Sequence, residues 1–333
     1  MTATMTALFG GTGPNWTPRQ VPVPKPGPGQ IMVRAHAVAL NNADAAMLAA
    51  ADPTAGGSGK EYQAGYELAG EIAVAGDGVD TATVGQRVMG TTPASFAQYV
   101  LTDHRHVLPI PDGLDFTEAC ALPTGLLTEH GALTTGGYQP GQSLLITGAT
   151  SSIGLIGVQI ARALGAGPIV TTTRSAGKHD LLKQAGADTI VVTSEQDLTQ
   201  AVLDATAGEG VDLALDHVGG QTFAACLPAT KGDGTVVNIG RLDTAAATID
   251  LDALSYRHLR AARCHGHASS YTALSGSVFT ISPLSVSRRR FRRASFSAVC
   301  WSAGWYPATR RASTARCASH VPPRACTTLP RAC

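Results

Sequence analysis

The chain has 333 residues, of which 44% are hydrophobic and 15% charged, enough for two domains with cores of their own. It has no apolar run of 18 residues and no basic-then-apolar leader, which excludes a membrane helix and leads us to expect a cytoplasmic protein. The net charge of +1 sums two unlike parts: residues 1–252 carry 7 Arg, 5 Lys and all 24 acids, whereas residues 253–333 carry 13 Arg and neither Lys nor an acid.

In chain order, residues 20–120 read as short strands separated by Pro and Gly. VPVPKPGPGQ reads as a turn-rich linker, QIMVRAHAVAL alternates like a strand, and ELAGEIAVAG and GQRVMG follow in the same style. DFTEACAL then opens a helix. From about residue 125 the pattern becomes regular strand and helix alternation. The strands are SLLIT (143–147), IVTTT (169–173), TIVV (189–192), VDLALD (211–216) and TVVNI (235–239), and the helices lie in IGLIGVQIARALG, KHDLLKQAG and QDLTQAVLDATAG. Such alternation predicts an α/β fold with a doubly wound parallel sheet, following a β-rich domain. The expected division is 1–124, 125–260 and an atypical tail, 261–333.

That tail has the composition of no ordinary globular segment. Five of the seven Cys fall beyond residue 260, with only three of the 37 Gly. SRRRFRRAS (287–295) has the character of a nucleic-acid tail, yet such tails mix in Lys and have no need of Cys and Trp. A GC-rich gene read in a shifted frame gives this mixture of Arg, Ala, Ser, Pro and Cys, so a frame change between about 260 and 275 is expected and no nucleic-acid partner. A disordered cationic tail would follow, and translation of the alternative frames would test the idea. HVPPRACTTLPRAC has no ordered CxxC spacing, so metal binding is not expected of these cysteines.

GATSSIG follows the apolar strand SLLIT and precedes an amphipathic helix. Unpaired amides at a helix N-terminus favour an anion, provided small side chains let a diphosphate approach. GATSSIG meets that size requirement, Ser151 and Ser152 add hydroxyl donors, and Ala149, Ser151, Ser152, Ile153 and Gly154 are the expected cofactor-binding residues of the turn. The turn does not match GxGxxG. It is similar to the TGxxx[AG]IG turn of short-chain dehydrogenases, but their YxxxK pair occurs nowhere in the chain.

Taken in order, PGPGQIMVRAHAVALNNAD, AGYELAGEI, GQRVMG, SFAQYV, LPIPDGLDFTEACALPTGLLT, LLITGATSSIGLIGVQIARALGA, LLKQAGAD, VDLALDHVGG and GTVVNIG resemble the medium-chain dehydrogenase/reductase superfamily, in its zinc-free quinone oxidoreductase branch. The likeness covers residues 5 to about 260. It implies a GroES-like catalytic domain followed by a Rossmann domain, and a possible homodimer. Zinc enzymes of the superfamily would carry Cys where Asn41 stands and His where Tyr66 stands, and a four-Cys lobe is missing from residues 75–120. His104 and His106 are expected at the surface.

At the end of the second parallel strand an acid would hold a ribose 2′-OH. Here Arg174, Ser175 and Lys178 offer two cations and a hydroxyl, which favours NADPH, and the resemblance implies that Lys178 contacts its 2′-phosphate. The resemblance also implies that Thr128 contacts the nicotinamide and that Asn41 lies in the acceptor pocket. Tyr66 and Tyr62 are possible donors to the acceptor oxygen, Asp44 is expected to be structural, and Ile239, Gly240 and Arg241 approach the cofactor. Together these predict an NADPH-dependent reductase of quinones or other α,β-unsaturated carbonyl compounds. The alternatives are a non-catalytic, crystallin-like NADPH-binding protein, or the inactive product of a frameshifted gene.

Overall fold

Residues 3–264 are described by a computed structural model of the chain. The first part contains β1 (Thr4–Gly10), β2 (Thr17–Pro22), β3 (Gln30–Val38), helix α1 (Asn42–Ala51), β4 (Tyr62–Gln63), β5 (Glu67–Ala75), β6 (Arg87–Thr91), β7 (Tyr99–Asp103) and β8 (Val107–Pro109). All pair antiparallel, in two sheets ordered β2-β1-β4 and β7-β3-β5-β6-β8. Ile31, Val33, Leu68, Ile72, Val88 and Val100 bury one face of the larger sheet. This alternation is what one solvated and one packed face demand.

Helices α2 (Phe116–Ala119) and α3 (Pro123–Gly136) follow. The single helix expected from DFTEACAL is divided because Pro123 has no N–H to donate backwards, so it ends one helix and starts the next. Gly137, at φ 70°, ends α3 in the left-handed conformation.

The second part alternates: β9 (Leu144–Ile146), α4 (Ser152–Ala163), β10 (Ile169–Thr173), α5 (His179–Ala185), β11 (Thr189–Val192), α6 (Leu198–Ala205), β12 (Val211–Asp216), α7 (Gly220–Cys226), β13 (Thr230–Asn238), α8 (Leu251–Tyr256) and β14 (Arg260–Arg263). The strands form one parallel sheet ordered β11-β10-β9-β12-β13-β14. Chain order runs outward in both directions from β9 and β12, which opens a crevice at their C-terminal ends. Leu144, Leu145 and Ile146 are fully buried at this centre.

The five Rossmann strands read from the sequence lie where it puts them, except that β13 begins five residues early, at Thr230, through an irregularity in its pairing with β12. The sixth, β14, went unread and carries the sheet past residue 260 into the expected tail. In the first part, β1 and α1 went unread, and the linker reading of VPVPKPGPGQ overlaps the end of β2. Pro18 and Pro22 are tolerated there because β2 is an edge strand. Among the described residues no helix is long and apolar enough to cross a membrane. The expectations for residues 265–333, including the frame change, the disordered tail and most of its cysteines, lie outside the described residues.

Candidate functional site

Four loops meet at the C-terminal edge of the parallel sheet. The β9–α4 turn is held by β10, since Gly148 N–H donates to Thr172 Oγ1 (3.0 Å) and Ala149 N–H to the Thr172 carbonyl (3.1 Å). Ser151 caps α4, its Oγ accepting from Gly154 N–H at 3.0 Å. The amides of Ser152 and Ile153, in the first turn of α4, have no hydrogen-bond partner among the described residues. Gly154 is required, because a Cβ there would lie 2.7 Å from Ala149 Cα and 2.9 Å from the Gly148 carbonyl.

The Asp216 carboxylate ties the other loops to this turn. It accepts from Thr147 Oγ1 (2.8 Å), Val218 N–H (3.1 Å), Gly219 N–H (3.0 Å) and Asn238 Nδ2 (3.0 Å). The amides of Ile239 and Gly240 are spent on the Asp216 carbonyl, at 2.7 and 3.1 Å. Any contact these two residues make with a ligand therefore comes from their surfaces, while Arg241 beside them is exposed. Arg174, Ser175 and Lys178 follow β10, one strand from the turn, and are exposed. Among the described residues neither cation has a carboxylate partner.

The β-rich part brings a second group to α3. Glu67, which is 1% exposed, opens β5 and accepts from Asn41 Nδ2 (2.7 Å) through one oxygen and from Thr124 N–H (2.7 Å) through the other. Asn41 is also the N-cap of α1, where the Asp44 carboxylate accepts from its N–H at 2.9 Å. Asp44 thus has the structural part expected of it. Thr124 and Thr128 stand one turn apart on α3 and share a face. Asn41 and Tyr66 are thereby gathered around the Glu67 carboxylate, and Thr128 follows one turn after its Thr124 partner.

Burial pushes the Glu67 carboxyl above its ordinary range, outweighing its bonds to Asn41 and Thr124. Burial likewise raises Asp44. The Tyr66 phenol is raised far above its usual value, first by burial and then by the negative charges of Asp44 and Glu67, so it stays protonated. Its hydroxyl, like that of Thr128, has no hydrogen-bond partner among the described residues. Tyr62 stands apart on β4, where its hydroxyl accepts from Trp16 Nε1 at 3.3 Å.

Three donors available to a metal at this place are an amide, a neutral phenol and a carboxylate whose two oxygens are already bonded. Such a set does not fit zinc, which takes thiolate, imidazole or free carboxylate. Among the described residues no group of three His, Cys, Asp or Glu could hold a metal ion. His104, in the short helical turn between β7 and β8, is exposed as expected, its Nδ1 2.9 Å from the Gly29 carbonyl, whereas His106 in the same turn is half-buried.

Sequence reasoning missed Glu67, Glu129, Asp216, His217 and Asn238. The available signal was a charged or polar residue set into an apolar run: Glu67 opening ELAGEIAVA, Glu129 inside α3, and the pair following VDLAL. Glu129 and His217 are both buried and meet at 2.5 Å. Cys264 donates its Sγ–H to the Thr128 carbonyl at 3.5 Å, with its thiol pushed up to about 11 by burial and then by Glu129.

Residues 27–112 match the alcohol dehydrogenase GroES-like domain family, and residues 152–277 the zinc-binding dehydrogenase family, a likeness that continues beyond residue 260. A phenolphthiocerol/phthiocerol polyketide synthase of Mycobacterium tuberculosis is 32% identical over 228 residues, 68% of this chain but 10% of that protein. Quinone oxidoreductase-like protein 2 of Bos taurus is 29% identical over 251 residues, covering 74% of this chain and 69% of its own. The solved structure of a mycobacterial quinone oxidoreductase superposes with a TM-score of 0.67 at 27% identity, covering 78% of this chain and 81% of that one. The chain thus spans a small part of the first of these relatives and most of the other two.

Proposed function

This chain belongs to the medium-chain dehydrogenase/reductase superfamily, and on that premise we propose that it is an NADPH-dependent, zinc-free oxidoreductase acting on quinones or other α,β-unsaturated carbonyl compounds. The observation that carries this reading is the seat around Glu67, where an amide and a neutral phenol stand at the would-be zinc-ligand positions, within one helical turn of Thr128.

The diphosphate of the cofactor is held by the unpaired amides of Ser152 and Ile153, at the positive end of α4. Arg174, Ser175 and Lys178 receive the 2′-phosphate, the two cations as charge-assisted donors. The nicotinamide, when bound, supplies a hydride. Thr128 donates to its edge, and Tyr66 donates to the acceptor oxygen as that oxygen gains charge. Asn41 has one Nδ2 hydrogen engaged by Glu67 and a second left for the acceptor. The final proton comes from water. A small-molecule acceptor needs no more than this, and a homodimer is compatible with it.

A screen of NADPH consumption across quinones and enones tests the activity. Turnover with at least one acceptor is expected, together with far less than one equivalent of metal and no effect of chelators. Tight NADPH binding with no turnover on any acceptor would overturn the reading in favour of a non-catalytic NADPH-binding protein.

A further inference from the structure

Glu129 and His217 form a pair that none of the roles above uses. Glu129, on α3, is fully buried and His217, after β12, is 3% exposed. His217 Nε2 lies 2.5 Å from Glu129 Oε1, and Nδ1 lies 2.9 Å from the Thr147 carbonyl. A carbonyl only accepts, so Nδ1 carries a hydrogen, and one proton is shared between Nε2 and the carboxylate. The second carboxylate oxygen, Oε2, has no hydrogen-bond partner among the described residues and lies against α4, where a Cβ on Gly157 would meet it at 2.4 Å.

For stability alone this arrangement is a poor choice. Removing both groups from water is costly, an unpaired buried oxygen adds to that cost, and two apolar side chains of similar volume would fill the space as well. What the pair adds to apolar packing is direction, because a hydrogen bond fixes both the distance and the angle at which the helix is held. The pair ties α3 to the residue that follows Asp216, and through Thr147 to the end of β9, so both central strands of the crevice hold one point of the helix. Thr128 is the residue before Glu129, turned from it by about 100° around the helix. Directing Glu129 into the domain therefore sets the direction of the Thr128 hydroxyl.

We infer that Glu129 and His217 are positioning residues that hold Thr128 at the height and rotation needed for hydride transfer. The inference rests on the nicotinamide reading of the crevice. Misplacing a reacting group by about 1 Å costs up to about 100-fold in rate, and Glu129→Gln should lower kcat about 10-fold or more with little change in the KM of the acceptor.

The test uses the full chain, with Glu129→Gln, the double variant Glu129→Leu/His217→Leu, and each of these combined with Thr128→Ala. The double variant restores apolar packing and keeps the fold measurable. The expected result is lower kcat in both variants and a larger primary isotope effect with NADPH deuterated at C4. The loss should shrink in the Thr128→Ala background, because the pair acts through that residue. Unchanged kcat and isotope effect per folded molecule, or losses that simply add to that of Thr128→Ala, would overturn the inference. Should the intact chain turn over no acceptor, the fluorescence of bound NADPH separates the two ideas. An equal change in Glu129→Gln and Thr128→Ala supports the positioning role, and no change in Glu129→Gln sinks it.

Discussion

The two halves of the site are built by different means. In the parallel-sheet half, the groups proposed to face the ligand are mainly backbone: the amides of Ser152 and Ile153, unpaired among the described residues, on a turn closed by Gly154. In the β-rich half they are side chains, Asn41 and Tyr66, held by the buried carboxylates Glu67 and Asp44. A backbone cradle recognises what all ligands of one class share, on the proposed reading a diphosphate, and tolerates changes in side chain as long as the turn survives. A side-chain seat can be altered one donor at a time, which on the proposed reading makes it the place where chemistry and acceptor choice are tuned.

That contrast is tested most severely at Tyr66. If its phenol is the donor to the developing oxyanion, Tyr66→Phe should lower kcat about 100- to 1000-fold. The ring remains and its hydroxyl has no partner to lose among the described residues, so the melting temperature should hardly move and NADPH affinity should stay unchanged. Steady-state kinetics beside a thermal melt reads both. A kcat within threefold of the parent would show that the side-chain seat does not carry the chemistry.

The backbone half is broken by adding bulk, not by removing a donor. Gly154→Ala places a methyl against Ala149 Cα and the Gly148 carbonyl, neither of which is a flexible side-chain end. Strain of about 1–3 kcal/mol is expected, and where it falls on the binding-competent turn, NADPH affinity should drop about 10- to 100-fold. Removing the Ser151 hydroxyl should do much less, since it caps α4 and leaves the amides of Ser152 and Ile153 in place. A titration of cofactor fluorescence distinguishes the two variants. Equal losses would mean that the cradle depends on side chains after all.

The same contrast explains what was legible in the sequence. IVTTT, TIVV and VDLALD match β10, β11 and β12 residue for residue, because a strand buried on both faces is mostly an apolar or β-branched run, interrupted in β12 by Asp212 and Asp216, whose carboxylates are hydrogen-bonded. The turn was legible because small residues between such a strand and a helix are needed for backbone approach. Glu67 and Glu129 were not, because a lone acid in an apolar segment gives no sign of its partner. Asn41 and Thr124 lie 26 and 57 residues from Glu67, and His217 lies 88 from Glu129. Helix α1 escaped for another reason: NADAAMLAAA has helical propensity but packs few residues, so no apolar period marks it.

On the proposed reading, cofactor choice lies at the outer edge of the backbone half, with the exposed cations Arg174 and Lys178. Lys178→Ala removes one charge-assisted contact to the 2′-phosphate. In a buried setting that is worth about 1.5–3 kcal/mol, but exposure and salt reduce it to about 1 kcal/mol. The preference for NADPH over NADH should therefore fall about fivefold, more at low salt than at high, with kcat on NADPH little changed. Equal affinity for the two cofactors in the parent chain would remove the basis for this assignment.

The smallest effect concerns stability and pH in the side-chain half. Glu67 faces Asn41 and Thr124 with its oxygens, with the Tyr66 phenol and the Asp44 carboxylate nearby, and burial raises both carboxyls. A carboxyl whose folded pKa lies above its unfolded one holds its proton more tightly when folded. Its favourable contribution is complete below the unfolded value, near 4, and is lost as pH rises through the raised folded value. Glu67→Gln removes that titration, and its new amide can still meet Thr124 N–H and a flipped Asn41. The melting temperature of Glu67→Gln relative to the parent should therefore rise between pH 5 and pH 8, whatever its absolute offset from the lost charge. Because Asp44 still titrates in the variant, the pH dependence should lessen without vanishing. Parallel melting curves across that range would mean that Glu67 ionises with its ordinary pKa, and that the seat holding Asn41 and Tyr66 is more open to water than its burial indicates.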